Sequence, residues 1–250
     1  MLDKNKHYRL LSDDTKSAAY NMAKDEALVK SFEEFDLPIL RLYSWEKSFT
    51  IGVSQKIQDY AYLEQYKNNH AKRITGGGVL FHGHDLSYCL IIPVSFMKNL
   101  NVKESYEKIC TFLLEFYKEL GLNAIYAKDD KNTQLSKSSF CQVGFEAYDI
   151  LVNGIKIGGN AQRRTKKLIF QHGSIPIKAL EDEDSKNRKN EIGHCLNEFD
   201  IHLTYEDAKI RLVNAFEKTF NTSLKISTLN KIEEENLRSL LKDKHDDERK

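Results

Sequence analysis

The chain has little that would force a break or mark a compartment. Its 250 residues hold three prolines and 30% charged side chains, which fits a soluble, helix-containing protein. It has no excess of one charge: 38 Lys and Arg stand against 37 Asp and Glu, a net of +1. That argues against a global field drawing nucleic acid or an anionic membrane. No apolar run approaches the length of a membrane span. The N-terminus, MLDKNKHYRLL, lacks the apolar core of a secretory leader, so a cytoplasmic location is expected. The four cysteines, Cys89, Cys110, Cys141 and Cys195, show neither CxxC nor Cys/His zinc spacing. Thiols, rather than disulfides or a metal site, are expected. There is no internal repeat. What is present suits a sizeable core: 40% apolar residues, with 13 Phe and 12 Tyr.

The stretch RITGGGVLFHGHDLSYCLIIP, residues 73–93, organises the rest. Gly76, Gly77 and Gly78 are costly to order unless the backbone needs positive φ or a close approach to a ligand. VLFH reads as a strand, Gly83–Asp85 as a tight turn, and LSYCLIIP as a second, half-buried strand of alternating residues. Arg73 and Lys72 set positive charge beside the glycines. Bare amides with a cation alongside suit a carboxylate, a phosphate or a thioester oxygen. An ordinary hairpin with a loose glycine entry accounts for the pattern equally well.

Along the chain, residues 13–35 read as a helix capped by Asp13 or Asp14. PILRLYSW (38–45) and SFTIGVSQ (48–55) read as strands, and residues 59–69 as a short amphipathic helix. Residues 103–121 form the clearest helix, with Tyr106, Ile109, Cys110, Leu113, Phe116, Tyr117 and Leu120 in one stripe and Gly121 as its stop. A polar stretch then leads to Phe140 and Cys141. Asn153-Gly154 marks a hairpin, and KKLIFQHGSIPI returns as a strand. EDEDSKNRKN (181–190) is the best boundary in the chain. It divides a 1–180 domain from a 191–250 extension with a helix opening on Thr204, capped with Asp207, and a second over NKIEEENLRSLLKDK.

NMAKDEAL (21–28), PILRLYSW, the glycine loop, NGIKIGGNAQRR (153–164) and QHGSI (171–175) together resemble the lipoate protein ligase and octanoyltransferase family, which is related to the biotin protein ligases. The resemblance covers roughly residues 15–180. It implies an α/β fold (α+β): a mixed, largely antiparallel sheet with packed helices, here on one side of it. It makes 1–180 the catalytic domain, 181–190 a charged linker and 191–250 a short helical extension. The strands around Trp45 and Phe49 would wall an acyl pocket.

A lone loop cysteine is usually incidental, and the residues alone leave Cys141 open. Its spacing to Tyr148, Lys156, Gly159, Ala161 and Gln162 resembles that of the octanoyltransferases with a loop cysteine. This implies a ping-pong acyl transfer with Cys141 as nucleophile and Lys156 as its catalytic partner. Arg73, Thr75, Gly76, Gly77, Gly78, His82, Gly159, Asn160, Ala161, Gln162, His172 and Gly173 would bind substrate. The two histidines would shape the pocket by hydrogen bonding. The donor would be octanoyl-phosphopantetheine on acyl carrier protein. The acceptor would be a lipoyl domain of an E2 subunit or the glycine-cleavage H protein. No resident cofactor is implied, and a monomer is expected. Three glycines in the loop and QVGFEA after the cysteine depart from the transferase pattern and keep open an ATP- and magnesium-dependent lipoate ligase working through lipoyl-adenylate. An amidotransferase between carrier proteins, whose thioester chemistry would look the same in sequence, is a second alternative. A binding module without chemistry is a third, against which the intact glycine loop, Cys141 and Lys156 speak together.

Overall fold

Strand β1 (Tyr8–Ser12) opens a six-stranded sheet whose order follows from which residues can be buried on two faces at once. The computed structural model describes residues 7–60, 63, 66, 69–136, 138–141, 144–181 and 189–247. The centre of the sheet is β6 (Asp85–Pro93), antiparallel to β2 (Ile39–Tyr43) on one side and to β11 (Leu168–Pro176) on the other. β10 (Gly159–Arg164) pairs antiparallel with β11 and forms one edge. β1 runs parallel to β2, and β12 (Leu224–Ile226) runs parallel to β1 at the other edge. The sheet is therefore mixed and largely antiparallel.

All nine residues of β6 are buried, where alternation suggested one wet face. The alternation separates two cores instead. Leu86, Tyr88, Leu90 and Ile92 pack with α2 (Val102–Glu119) and α4 (Tyr205–Phe220). Cys89 and Ile91 pack with α1 (Ala18–Ser31). Helices thus cover both faces, not one, because β6 is apolar on both sides. α5 (Lys231–Asp247) lies against α1, with Leu237 and Leu240 touching Ala23 and Ala27. A short helix, α3 (Lys189–Ile192), precedes these last elements.

The expected hairpin between VLFH and LSYCLIIP does not form. β5 (Leu80–His82) leaves the main sheet and pairs with β3 (Ser48–Ile51), which also pairs with β4 (His70–Lys72). Gly83, at φ 108°, turns the chain between the two sheets. A third small sheet joins β7 (Ala124–Tyr126), β8 (Ile150–Val152) and β9 (Ile155–Lys156). Asn153 (φ 52°) and Gly154 (φ 76°) make its tight β8–β9 turn, as the Asn-Gly pair requires.

Two helix limits differ from expectation for stated reasons. Ser17 caps α1 by accepting the Tyr20 amide. Asp13 is occupied elsewhere, bridging Lys24 and Arg41 at 2.6 Å each. α2 begins at an Asn101–Glu104 capping box, and Gly121 takes φ 79° after its end. Most of the expected 59–69 helix and most of the 181–190 linker (182–188) lie outside the described residues. No helix among the described residues is long and apolar enough to cross a membrane.

Candidate active site

Cys141 is held between the start of β10 in the six-stranded sheet and the chain that enters β5. Ser136 and Phe145 exchange two backbone hydrogen bonds of 2.9 Å and close the base of its loop. Phe140 stacks on Phe81 of β5. The Cys141 amide donates to Val79 O (2.8 Å), and the Val79 amide to Ser139 O (2.7 Å). The approach is so close that a Cβ on Gly78 would sit 2.4 Å from Ser139 O. A Cβ on Gly159 would sit 2.9 Å from Cys141 Sγ. These two glycines make room for the loop and for the sulfur.

Two cavities meet at this sulfur. The inner one is lined by Met22, Tyr43, Trp45, Leu80, Ser87 and Gly173, together with Arg73, His82, His172, Gly159, Asn160 and Ala161. It has about 20 Å³ of room, close to one water, and more apolar than polar surface. The outer one is larger, about 260 Å³, and more polar, lined by Gly77, Gly78, Gly144, Glu146, Asp149, Lys156 and Asn160 among others. Cys141 lines both. The amides of Gly76, Gly77 and Gly78 donate to no acceptor among the described residues. Gly77 and Gly78 line the outer cavity together with Cys141, and an unused amide in such a place suits an oxygen that gains charge.

Arg73 is 4% exposed and touches no carboxylate among the described residues. Nη1 donates to Thr50 Oγ1 (2.8 Å), and Nη2 to Gly78 O (2.5 Å) and Gly76 O (3.4 Å). Burial lowers its pKa, while Cys141 and Tyr43 work to raise it. Thr50 Oγ1 in turn lies 2.8 Å from His82 Nε2, and His82 Nδ1 lies 3.0 Å from Asp85 Oδ2. Asp85 also accepts from Ser87 and Ser174. Burial alone would raise its pKa, but His82 and these donors bring it down to about 2. An ionised Asp85 keeps the proton of His82 on Nδ1 and leaves Nε2 to accept from Thr50. His82 also stacks on Trp45, with centroids 3.8 Å apart.

His172 has a parallel arrangement. Nε2 lies 2.7 Å from Thr75 Oγ1, and Nδ1 lies 3.7 Å from Asp25 Oδ2. Burial lowers its pKa despite Asp25. Asp25 is itself locked by Arg41 (2.5 Å) and the Tyr43 hydroxyl (2.8 Å). His82 thus uses both ring nitrogens on neighbouring side chains, whereas His172 bonds through Nε2 and has Nδ1 only within ion-pair distance of Asp25.

Lys156 is not a solvated hairpin charge. Its Nζ donates to Asp149 Oδ2 (2.5 Å) and Gly144 O (2.6 Å), and its side chain is 5% exposed. Burial raises the Asp149 pKa against the pull of Lys156.

Of the residues singled out in the sequence, Arg73, Gly77, Gly78, His82, Cys141, Lys156, Gly159, Asn160, Ala161, His172 and Gly173 line one cavity or the other. Thr75 stands behind His172, and Gly76 is exposed at the loop tip. Gln162 points elsewhere, donating to Gln171 Oε1 at 2.9 Å. Trp45 lines the inner cavity, whereas Phe49 packs in a separate core with Tyr66 and Phe81. Asp149, Thr50, Asp85 and Asp25 carry much of the site's order and were not expected. Asp149 had a signal: a buried lysine needs a carboxylate, and the β8–β9 register sets Lys156 opposite Leu151, two residues away.

Gln142 and Val143 lie outside the described residues. No group of three or more His, Cys, Asp or Glu among the described residues is arranged to hold a metal ion.

The chain is similar to several known proteins over nearly its whole length. The octanoyltransferase LipM of Halalkalibacterium halodurans is 29% identical over 96% of each chain. A lipoate-protein ligase A bound with ATP superposes with a TM-score of 0.78 at 22% identity, covering 94% of both chains. A bipartite lipoate protein ligase of Thermoplasma acidophilum, solved in a study that includes its E2 lipoyl domain, gives 0.75 at 21%, covering 95% of this chain and 93% of that one. Residues 17–190 match the lipoyl protein ligase A/B catalytic domain, and the chain belongs to that family.

Proposed function

We propose that the chain is an octanoyltransferase of lipoate biosynthesis that holds the octanoyl group on Cys141 between two carrier proteins. The observation that carries the reading is the place of Cys141, which lines both a small, mainly apolar cavity and a larger, more polar one. An acyl chain would lie inward, and the reacting carbonyl would face outward. The similarity to LipM supports the same activity.

The donor is octanoyl thioester on the phosphopantetheine of acyl carrier protein. Cys141 thiolate attacks the carbonyl, and an S–C bond forms as the carrier's S–C bond breaks. The carrier thiolate takes a proton and leaves. The ε-amine of a lysine on a lipoyl domain, of an E2 subunit or the glycine-cleavage H protein, then attacks the enzyme thioester. It loses a proton, Cys141 thiolate leaves, and an amide remains. In each step the carbonyl oxygen becomes negative. Amides 77 and 78 are the donors for it, each worth about 3 kcal/mol by analogy with other oxyanion holes. The thioester supplies the activation, so neither nucleotide nor metal is required. A cytoplasmic monomer fits this reading.

The test is intact-protein mass after incubation with octanoyl acyl carrier protein without ATP. Wild type should carry an octanoyl adduct that hydroxylamine removes, and Cys141→Ala should carry none. No adduct on either protein would move the reading to the ligase, which needs ATP and free octanoate or lipoate.

A further inference from the structure

Resting on Cys141 as the acylated nucleophile, we infer that Arg73, and not Lys156, is the cation that holds Cys141 as a thiolate. The two side chains converge over Gly77. A Cβ on that glycine would lie 3.1 Å from Arg73 Nη2 and 3.8 Å from Cys141 Sγ. The guanidinium and the sulfur thus both border the space that a side chain at this position would take, and φ of 102° keeps the position for glycine.

The charges around the sulfur favour Arg73. In the outer cavity Lys156 is matched by Asp149 at 2.5 Å, so the pair presents little net charge. Glu146, exposed in the same cavity, opposes a thiolate. In the inner cavity His82 has both ring nitrogens engaged, His172 bonds Thr75 through Nε2 and has Nδ1 3.7 Å from Asp25, and Tyr43 donates to Asp25. Tyr106 of α2 has its hydroxyl on Asn160 O. Arg73 alone among the described groups lining either cavity is a cation without a carboxylate. An unmatched buried charge is expensive, and its three hydrogen bonds run to neutral oxygens. A thiolate beside it supplies the missing counter-charge. Thr50, oriented by His82 and Asp85, fixes Nη1 and so fixes which nitrogen faces the sulfur. Arg73 is thus a positioning residue that sets the charge state of the nucleophile, and Lys156 is left for the outer cavity and the acceptor side.

The test is the pH dependence of Cys141 alkylation by iodoacetamide, in which the thiolate displaces iodide, located by peptide mass. Cys89, Cys110 and Cys195 are buried and serve as internal controls. Arg73→Met should move the profile upward, with alkylation at neutral pH about tenfold slower and the same rate at high pH. Arg73→Lys should recover most of the difference. The double variant Lys156→Met/Asp149→Asn, which removes the neutral pair together, should leave the profile in place. An unmoved profile in Arg73→Met, or an equal displacement in the double variant, overturns the assignment. If Arg73→Met does not fold, Thr50→Val decides: it frees Nη1, and alkylation at neutral pH should slow at least about twofold. An unchanged profile there overturns it equally. The assay uses no acyl substrate. A wild type that never forms the octanoyl adduct ends the transferase reading, whereas an adduct with an unmoved profile ends only this one.

Discussion

Lys156 Nζ lies 2.5 Å from Asp149 Oδ2, with both side chains about 5% exposed. The β8–β9 hairpin brings them together, and Gly144 O accepts a second hydrogen bond from the ammonium. Such a pair contributes little net stability when intact, because desolvation offsets attraction. Breaking it is another matter. Asp149→Asn leaves a buried ammonium without a counter-charge and should cost about 3 kcal/mol of unfolding free energy, read by urea denaturation. Asp149→Leu/Lys156→Met should recover most of that loss. If the single and double variants are equally unstable, the pair is not what holds this hairpin.

Gly159 gives a prediction of the opposite kind, about space and not charge. At the first position of β10, its missing Cβ is what Cys141 Sγ occupies, at 2.9 Å. Gly159→Ala must push the sulfur out of its place, and the loop that carries it has room on the outer side. The fold should survive, with a thermal midpoint close to wild type. Octanoyl-adduct formation should fall by at least about tenfold, since misplacement by an ångström costs that or more. Wild-type acylation rates in this variant would mean that Cys141 does not react from the position seen.

How far the sequence foretold this site depends on whether the controlling contacts are local. The Asn153-Gly154 turn, the Gly121 stop and the Thr204–Asp207 cap depend on residues within a few positions, and each was legible. The 73–93 stretch shows the limit. Its two strands were legible, but not their partners, since β5 finds β3 and β6 finds β2 and β11 across long separations. A run that alternates apolar with small residues reads the same whether its second face meets water or a second core. Strand β12 was missed because LKI is three residues long with two of them exposed. At the site, the placement of Cys141 rests on contacts with Val79, Gly77 and Gly159. No spacing rule encodes them, and the family resemblance supplied the residue that pattern alone left open.

Two adjacent buried groups make stability fall on acidification in separate windows. His84 is pushed down to about 4 by burial, against Asp85, and its Nδ1 has no hydrogen-bond partner among the described residues. The unfolded chain takes up its proton near the ordinary histidine value of about 6.5, and the folded chain does not until about 4. Stability is therefore full above 6.5 and lost as pH falls towards 4, by about 3 kcal/mol. Asp85, held at about 2, adds stability above its ordinary value near 3.8 that is lost as pH falls through about 2, a further ~2 kcal/mol. Urea midpoints measured from pH 7 to pH 4 should show the first slope. His84→Phe should make it shallower, leaving the part due to His172, whose pKa burial also lowers, and an unchanged slope would place the titrating group elsewhere.

The inner cavity, with room for about one water, must open to take an acyl chain. Met22 of α1 is the unbranched, flexible side chain in its lining and the one best able to swing aside. It also packs in the core between α1 and the sheet, so its volume sets how deep the pocket can become. Met22→Ala should destabilise the free protein by about 2–5 kcal/mol, the cost of a large-to-small change in a core. The space gained should favour longer chains. A hydrophobic pocket discriminates by roughly 1–3 kcal/mol for each methylene it does or does not accommodate. Competition between octanoyl and dodecanoyl carrier thioesters, read as the ratio of adduct masses on Cys141, should shift at least about tenfold towards dodecanoyl in the variant. Octanoyl itself should still load. An unaltered ratio would show that the chain takes another path from the sulfur, away from α1, and that the cavity beneath Met22 is only a packing defect.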